Sequence, residues 1–97
     1  DAVRAMFNGV SQAINTEYGR RILDCLSNRT AYEAKYGYTC LTKRILCEIE
    51  KDIWLLANGY VDYVEWHFFV SNITNKGGAS QPLIDALINA GIKIVYH

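Results

Sequence analysis

No apolar run in this sequence approaches the roughly 18 residues that a membrane-spanning helix needs, and no signal peptide is visible. Cysteine is scarce: Cys25, Cys40 and Cys47 form an odd set at spacings that match no zinc motif. A secreted disulfide framework uses an even set, so reduced thiols are expected, with Cys25 and Cys47 as small core residues among apolar neighbours. Net charge is missing too: ten basic side chains balance ten acidic ones, which argues against strong non-specific binding to nucleic acid. No segment repeats, and none has the composition of a disordered tract. Nor does the chain start with methionine; Asp1 comes first, and a segment of a longer polypeptide is the expectation.

What is present suits one domain with one core, spanning residues 1–97. Hydrophobic residues make up 51% and charged residues 21%, as in ordinary globular proteins. The charges are unevenly spread. Residues 20–44 hold six cations (Arg20, Arg21, Arg29, Lys35, Lys43, Arg44) against Asp24 and Glu33 alone, whereas residues 45–97 hold six acids against three bases.

The apolar spacing of Val3, Met6, Phe7, Val10 and Ile14 predicts a helix over 2–17, stopped by Gly19. Short runs rich in strand formers over 21–26 and 30–36, joined by Ser27-Asn28, read as a β-hairpin. Leu41, Ile45, Ile49, Ile53 and Leu56 mark one face of a helix over 41–58, with Gly59 as its stop. Alternation over 61–70 puts Val64, Trp66, Phe68 and Val70 on one face of a strand and Tyr63, Glu65, His67 and Phe69 on the other. After a loop over 71–79, Ser80 caps a helix with Pro82 in its first turn. Gly91 ends that helix, and 92–96 forms a last strand. The expected fold is α/β, a small mixed sheet flanked by helices, in the order α-β-β-α-β-α-β.

The hairpin carries the chemistry. With the turn centred on Ser27-Asn28, residues whose numbers total about 55 face each other, and Asp24 lies opposite Ala31 on the face that also bears Glu33 and Lys35. A three-residue turn would move Asp24 to the other face. Two carboxylates, completed by the Ala34 carbonyl, can hold magnesium or manganese, with zinc as an alternative. Such an ion activates water and neutralises a scissile phosphate, while Lys35 stabilises the developing charge. Glu17 is a further acid for a second ion. Arg20 and Arg21 in the basic stretch, and Thr39 and Lys43 with Tyr36 and Tyr38 just beyond, are the candidate substrate contacts. A Glu-x-Lys triplet alone arises by chance in roughly one chain in three of this length; Asp24 on the preceding strand is what sharpens it. The bland alternative is a solvated hairpin on a non-catalytic interaction module.

Gly19-Arg20-Arg21-Ile22-Leu23-Asp24, followed by Ala31-Tyr32-Glu33-Ala34-Lys35-Tyr36-Gly37, resembles the restriction-endonuclease-like superfamily with its PD-(D/E)xK motif. The closer likeness is to nuclease toxin modules at the C-termini of bacterial polymorphic toxins of the contact-dependent inhibition, Rhs and wall-associated types. Lys51-Asp52, Trp66-His67-Phe68-Phe69 and the stretch from Pro82-Leu83 to Gly91-Ile92 share it, so it covers roughly residues 17–97. The resemblance implies metal-binding acids at Asp24 and Glu33, a catalytic lysine at Lys35 and a restriction-endonuclease-like core. Where the superfamily often has a polar residue on the next helix, commonly Gln, this chain has Glu48, with Lys51 one turn on; Ile22-Leu23 stands in place of a proline before Asp24. It also implies a metal-dependent endonuclease, DNA favoured and RNA or tRNA the alternative. The domain would belong to a larger secreted or cell-surface toxin, act in the target-cell cytoplasm, and be neutralised in its producer by a cognate immunity protein.

Other residues carry less. His67 is a secondary candidate on a strand face with Glu65 and Tyr63, although a strand histidine is more often packed than catalytic. His97 is expected to fray. Gly77-Gly78 lacks the spacing of a phosphate loop, and Trp54, Trp66, Phe68 and Phe69 read as core.

Overall fold

The computed structural model describes residues 2–97. Eight elements follow one another: α1 (Ala2–Phe7), β1 (Val10–Thr16), β2 (Gly19–Ser27), β3 (Thr30–Tyr36), α2 (Lys43–Ala57), β4 (Tyr63–Phe69), α3 (Gln81–Asn89) and β5 (Lys93–Tyr96). The five strands form one mixed sheet in chain order. β1, β2 and β3 pair antiparallel, and β3, β4 and β5 pair parallel. Both parallel crossovers step the same way across the sheet, which puts their helices on one face given the uniform handedness of such connections. α2 and α3 accordingly share a core of Leu23, Ile49, Leu55, Val64, Trp66, Phe68, Leu83 and Leu87. The other face is covered by α1 through Val3, with Phe7, Tyr32 and Phe69 around Cys25 and Ala34. No helix among the described residues is long and apolar enough to cross a membrane.

The expected helix over 2–17 is replaced by a six-residue helix and a strand, so the order gains a strand after the first helix. β1 is an edge strand, exposed over its first four residues, and an uncovered strand needs no alternation. Val10 and Ile14 merely continued the helical spacing of Val3 and Phe7. The α1–β1 link passes close to β2 at Gly9, where a Cβ would collide with Cys25 Sγ and the Leu26 carbonyl.

The β2–β3 turn is Asn28-Arg29, not Ser27-Asn28. Both central residues have positive φ (50° and 63°), as a two-residue hairpin turn of the type I′ class requires. Ser27 pairs Thr30 and Leu26, rather than Asp24, lies opposite Ala31. The turn stays even in length, so which residues share a face is unchanged.

On α2, Thr42 Oγ1 accepts from Ile45 N–H (3.2 Å) and fixes the start of the helix. Its buried positions are Ile45, Ile49, Asp52 and Leu55, while Ile53 is 43% exposed. A stripe stepping by four residues drifts around a helix of 3.6 residues per turn, which carries Ile53 off the core face and brings Asp52 onto it. Val70 is exposed beyond the end of β4. Cys25 is buried as expected, but Cys47 is exposed. Ser80 stands at the N-cap of α3 without a side-chain capping bond.

Candidate active site

β2 and β3 pair only between Cys25–Ser27 and Thr30–Tyr32. Beyond Cys25 the two strands part, β2 staying with β1 and β3 with β4. The parting coincides with a bulge: Val10 pairs Leu26 but Gln12 pairs Leu23, so two steps along β1 match three along β2. The extra residue lies at Asp24-Cys25. It lets Leu23 and Leu26 both meet the α2 side while Cys25 packs under α1.

Parting leaves the Ala34 N–H without a β2 carbonyl, and a buried N–H must find an acceptor. Asp24 Oδ2 accepts it at 2.9 Å. A residue's N–H and C=O point to the same side of a strand, so the Ala34 carbonyl faces the same gap. The gap opens into a cleft of about 660 Å³ under α2, lined on the strands by Asp24, Glu33, Ala34 and Lys35, and on the helix by Arg44, Cys47, Glu48 and Lys51. Arg20, Arg21 and Ile22 complete it.

Ion pairs knit the interior. Lys35 Nζ lies 2.9 Å from Glu33 Oε2 and 3.0 Å from Glu48 Oε1, and 5.1 Å from the centre of the Trp66 ring. Arg21 donates through Nε to Asp52 Oδ1 (2.8 Å) and through Nη2 to Asp52 Oδ2 (3.2 Å), a two-pronged grip on a carboxylate that is 0% exposed. Trp66 Nε1–H donates to the same Oδ2 (3.0 Å). From that anchor Arg21 Nη1 reaches Glu48 Oε2 at 3.4 Å and Nη2 comes within 3.3 Å of Glu33 Oε1. That last contact is an ion pair without hydrogen-bond geometry, and Glu33 Oε1 is buried with no donor.

Desolvation governs the protonation pattern. Burial, opposed by Arg21 and Lys35, raises the Glu33 carboxyl to about 8. Burial also pushes Glu48 up, but Lys35 and Arg21 outweigh it and hold Glu48 below the usual glutamate value. Of the two neighbouring glutamates it is Glu33 that ionises less readily. Lys35 stays above the ordinary lysine value because its two glutamates outweigh its own burial.

Of the residues singled out by sequence, Asp24, Glu33, Lys35, Glu48, Lys51, Arg20 and Arg21 all line this cleft. Arg21 is buried within it among three carboxylates rather than presented at its rim. Glu17 does not join: it lies in the exposed β1–β2 turn instead of at a helix end. Thr39 bridges to Ala79 and Lys43 is the first residue of α2, both outside the cleft lining. Tyr36 and Tyr38 line a separate groove with Ser71, Thr74 and Lys76.

His67 faces the α1 side. Its Nε2 pairs with Glu65 Oε1 (2.9 Å) and its Nδ1 with His97 Nε2 (2.7 Å). His97 is held, not frayed: its N–H donates to the Phe68 carbonyl (2.9 Å) and its ring stacks on Phe69.

Sequence reasoning missed Arg44, Cys47 and Asp52 as parts of the site. Asp52 had a signal, an acid seven residues after Ile45 on the face that packs against the sheet. Among the described residues, no three His, Cys, Asp or Glu side chains converge tightly enough to cage a metal by themselves. A hard divalent ion binds through one or two carboxylates and keeps several waters; Asp24, Glu33 and the Ala34 carbonyl are the groups at this gap that could hold one. No family model matches the chain, and no curated protein or solved structure matches it.

Proposed function

We propose that the chain is a metal-dependent nuclease of the restriction-endonuclease-like type, with Asp24, Glu33 and Lys35 at its centre. One observation carries this reading: the three side chains line one cleft where β2 and β3 part, and there Glu33 Oε1 is buried without a donor. Asp24, Glu33 and the Ala34 carbonyl would hold a magnesium or manganese ion, which supplies charge neutralisation and water activation at the scissile phosphate.

The chain's own groups do the rest. Ala34 N–H fixes the orientation of Asp24. Glu33 and Glu48 hold the Lys35 ammonium between them, where its positive charge meets negative charge developing on the phosphate. Arg20, Arg44 and Lys51 at the cleft supply the attraction for a polyanion. DNA is the favoured substrate. As implied by the resemblance, the domain would be the toxic end of a larger secreted or cell-surface bacterial protein, acting in the target-cell cytoplasm and held in check by an immunity protein.

The test is cleavage of plasmid DNA, total RNA and tRNA, with and without chelator, by the parent and by Asp24→Asn and Lys35→Ala. The parent should cut in the presence of magnesium or manganese and stop with chelator. Each variant should lose at least about a hundredfold in rate while melting within a few degrees of the parent. Cutting of RNA alone would redirect the substrate assignment. Parent-like cutting by both variants would sink the site, and no cutting by the parent under any condition would leave an interaction module as the better account.

A further inference from the structure

Asp52 has no access to the cleft, being 0% exposed in the middle of α2, yet it holds Arg21, which lines it. Both of its oxygens are committed to Arg21, and one also takes the Trp66 N–H. A guanidinium has five N–H groups in a rigid planar fork. Once Nε and one Nη2 hydrogen face Asp52, the plane and reach of that fork are fixed. Nη1 donates to the Ile22 carbonyl at 2.8 Å, a third tether, and approaches Glu48 only at 3.4 Å.

The consequence falls on Glu33. Its Oε2 meets Lys35 at 2.9 Å. Its Oε1 lies 3.3 Å from Arg21 Nη2 but receives no hydrogen bond: one Nη2 hydrogen goes to Asp52, and in the plane that Asp52 and the Ile22 carbonyl fix the other does not point at Oε1. An unrestrained arginine beside a buried carboxylate would turn to cap it with a short two-pronged bond. Here the plane of the fork is set instead by Asp52, itself held by the Trp66 N–H, and by the Ile22 carbonyl.

We infer that Asp52 is a positioning residue that ties back the Arg21 fork, so that Arg21 lends Glu33 its charge without donating to Oε1, and a divalent cation can take that buried oxygen with no hydrogen bond to displace. This rests on the nuclease reading above, in which Glu33 is a cation ligand. Arg21 is then a fixed neutraliser of three acids and not a substrate contact. Trp66 serves twice, anchoring Asp52 through its N–H and lying beneath Lys35 with its ring.

Binding of Mn2+ to the folded protein tests this, read by calorimetry and by the paramagnetic resonance of free Mn2+. The parent should take up the ion, and Asp24→Asn should abolish that uptake. Asp52→Asn keeps the side-chain shape but releases the charge holding the fork. It should lower Mn2+ affinity at least about tenfold, and the double variant Arg21→Met with Asp52→Asn should return it to near the parent value, because no fork remains to cap Glu33. A role for Asp52 in stability alone would lower the melting temperature without that loss and rescue. Parent-like Mn2+ affinity in folded Asp52→Asn, or no recovery in a folded double variant, overturns the inference while leaving the nuclease reading intact. No uptake of Mn2+ by the parent overturns both.

If Asp52→Asn fails to fold, anomalous scattering from Mn2+-soaked crystals of the parent decides. An ion on Glu33 Oε1 with Arg21 still gripping Asp52 supports the inference. An ion away from Oε1, or Arg21 swung off Asp52, overturns it.

Discussion

Glu33 touches two cations and still favours its neutral form, because at 5% exposure it has lost most of its water. That has a measurable sign. A carboxyl whose value rises from 4.5 to about 8 on folding favours the folded state fully while both states are protonated, and that contribution is lost as pH climbs through this interval. Glu48, shifted the opposite way, gives stability at neutral pH that is lost on acidification. Comparing Glu33→Gln with the parent isolates the first effect, since Gln keeps the neutral shape and cannot ionise. In metal-free buffer the melting temperature of the Gln variant should rise relative to the parent between about pH 5 and about pH 8. A constant difference across that range would show that Glu33 is ionised throughout.

At the scale of elements, the site depends on where α2 starts and where β2 bulges. Thr42 satisfies one of the free N–H groups at the start of α2, five to six residues before the turn that carries Cys47 and Glu48. Thr42→Ala should cost about 1 kcal/mol, seen as a lower midpoint in denaturant unfolding with unchanged slope. An effect near zero would mean the first turn is held by its packing alone. How much of this was legible in sequence follows from the range of each interaction. The β2–β3 hairpin, α2, β4, α3 and β5 were readable because local spacing and glycine stops encode them; Gly37, Gly59 and Gly91 all have positive φ where the elements end. Asp24, Glu33 and Lys35 could be placed together because parity survives a shift in an even turn. β1 was not legible, since an exposed edge strand lacks the alternation that burial imposes. Asp52 was hidden for another reason: what makes a buried acid tolerable is Arg21, 31 positions away in sequence, and only the fold brings them together.

For the whole molecule, a formal net charge of zero gives no general attraction for nucleic acid, so binding has to come from how charge is arranged. At physiological salt the field of a surface charge fades over about 8 Å, and acids on the far faces of a body 36 × 29 × 19 Å in extent contribute little at the cleft. What a polyanion meets locally is Arg20 and Arg44, both exposed, with Lys51 beside them and a carboxylate-rich floor below. Arg20→Ala combined with Arg44→Ala should therefore weaken binding to all sequences alike. The slope of log affinity against log salt should fall by about 1.4 to 1.8 if both arginines meet phosphates, at roughly 0.7 to 0.9 per contact. KM should rise with kcat nearly unchanged, because such contacts hold the ground state and the transition state equally. Fluorescence anisotropy with labelled oligonucleotides over a salt series measures the slope. An unchanged slope would place the nucleic-acid path elsewhere, with the groove of Tyr36, Tyr38 and Lys76 the next surface to examine.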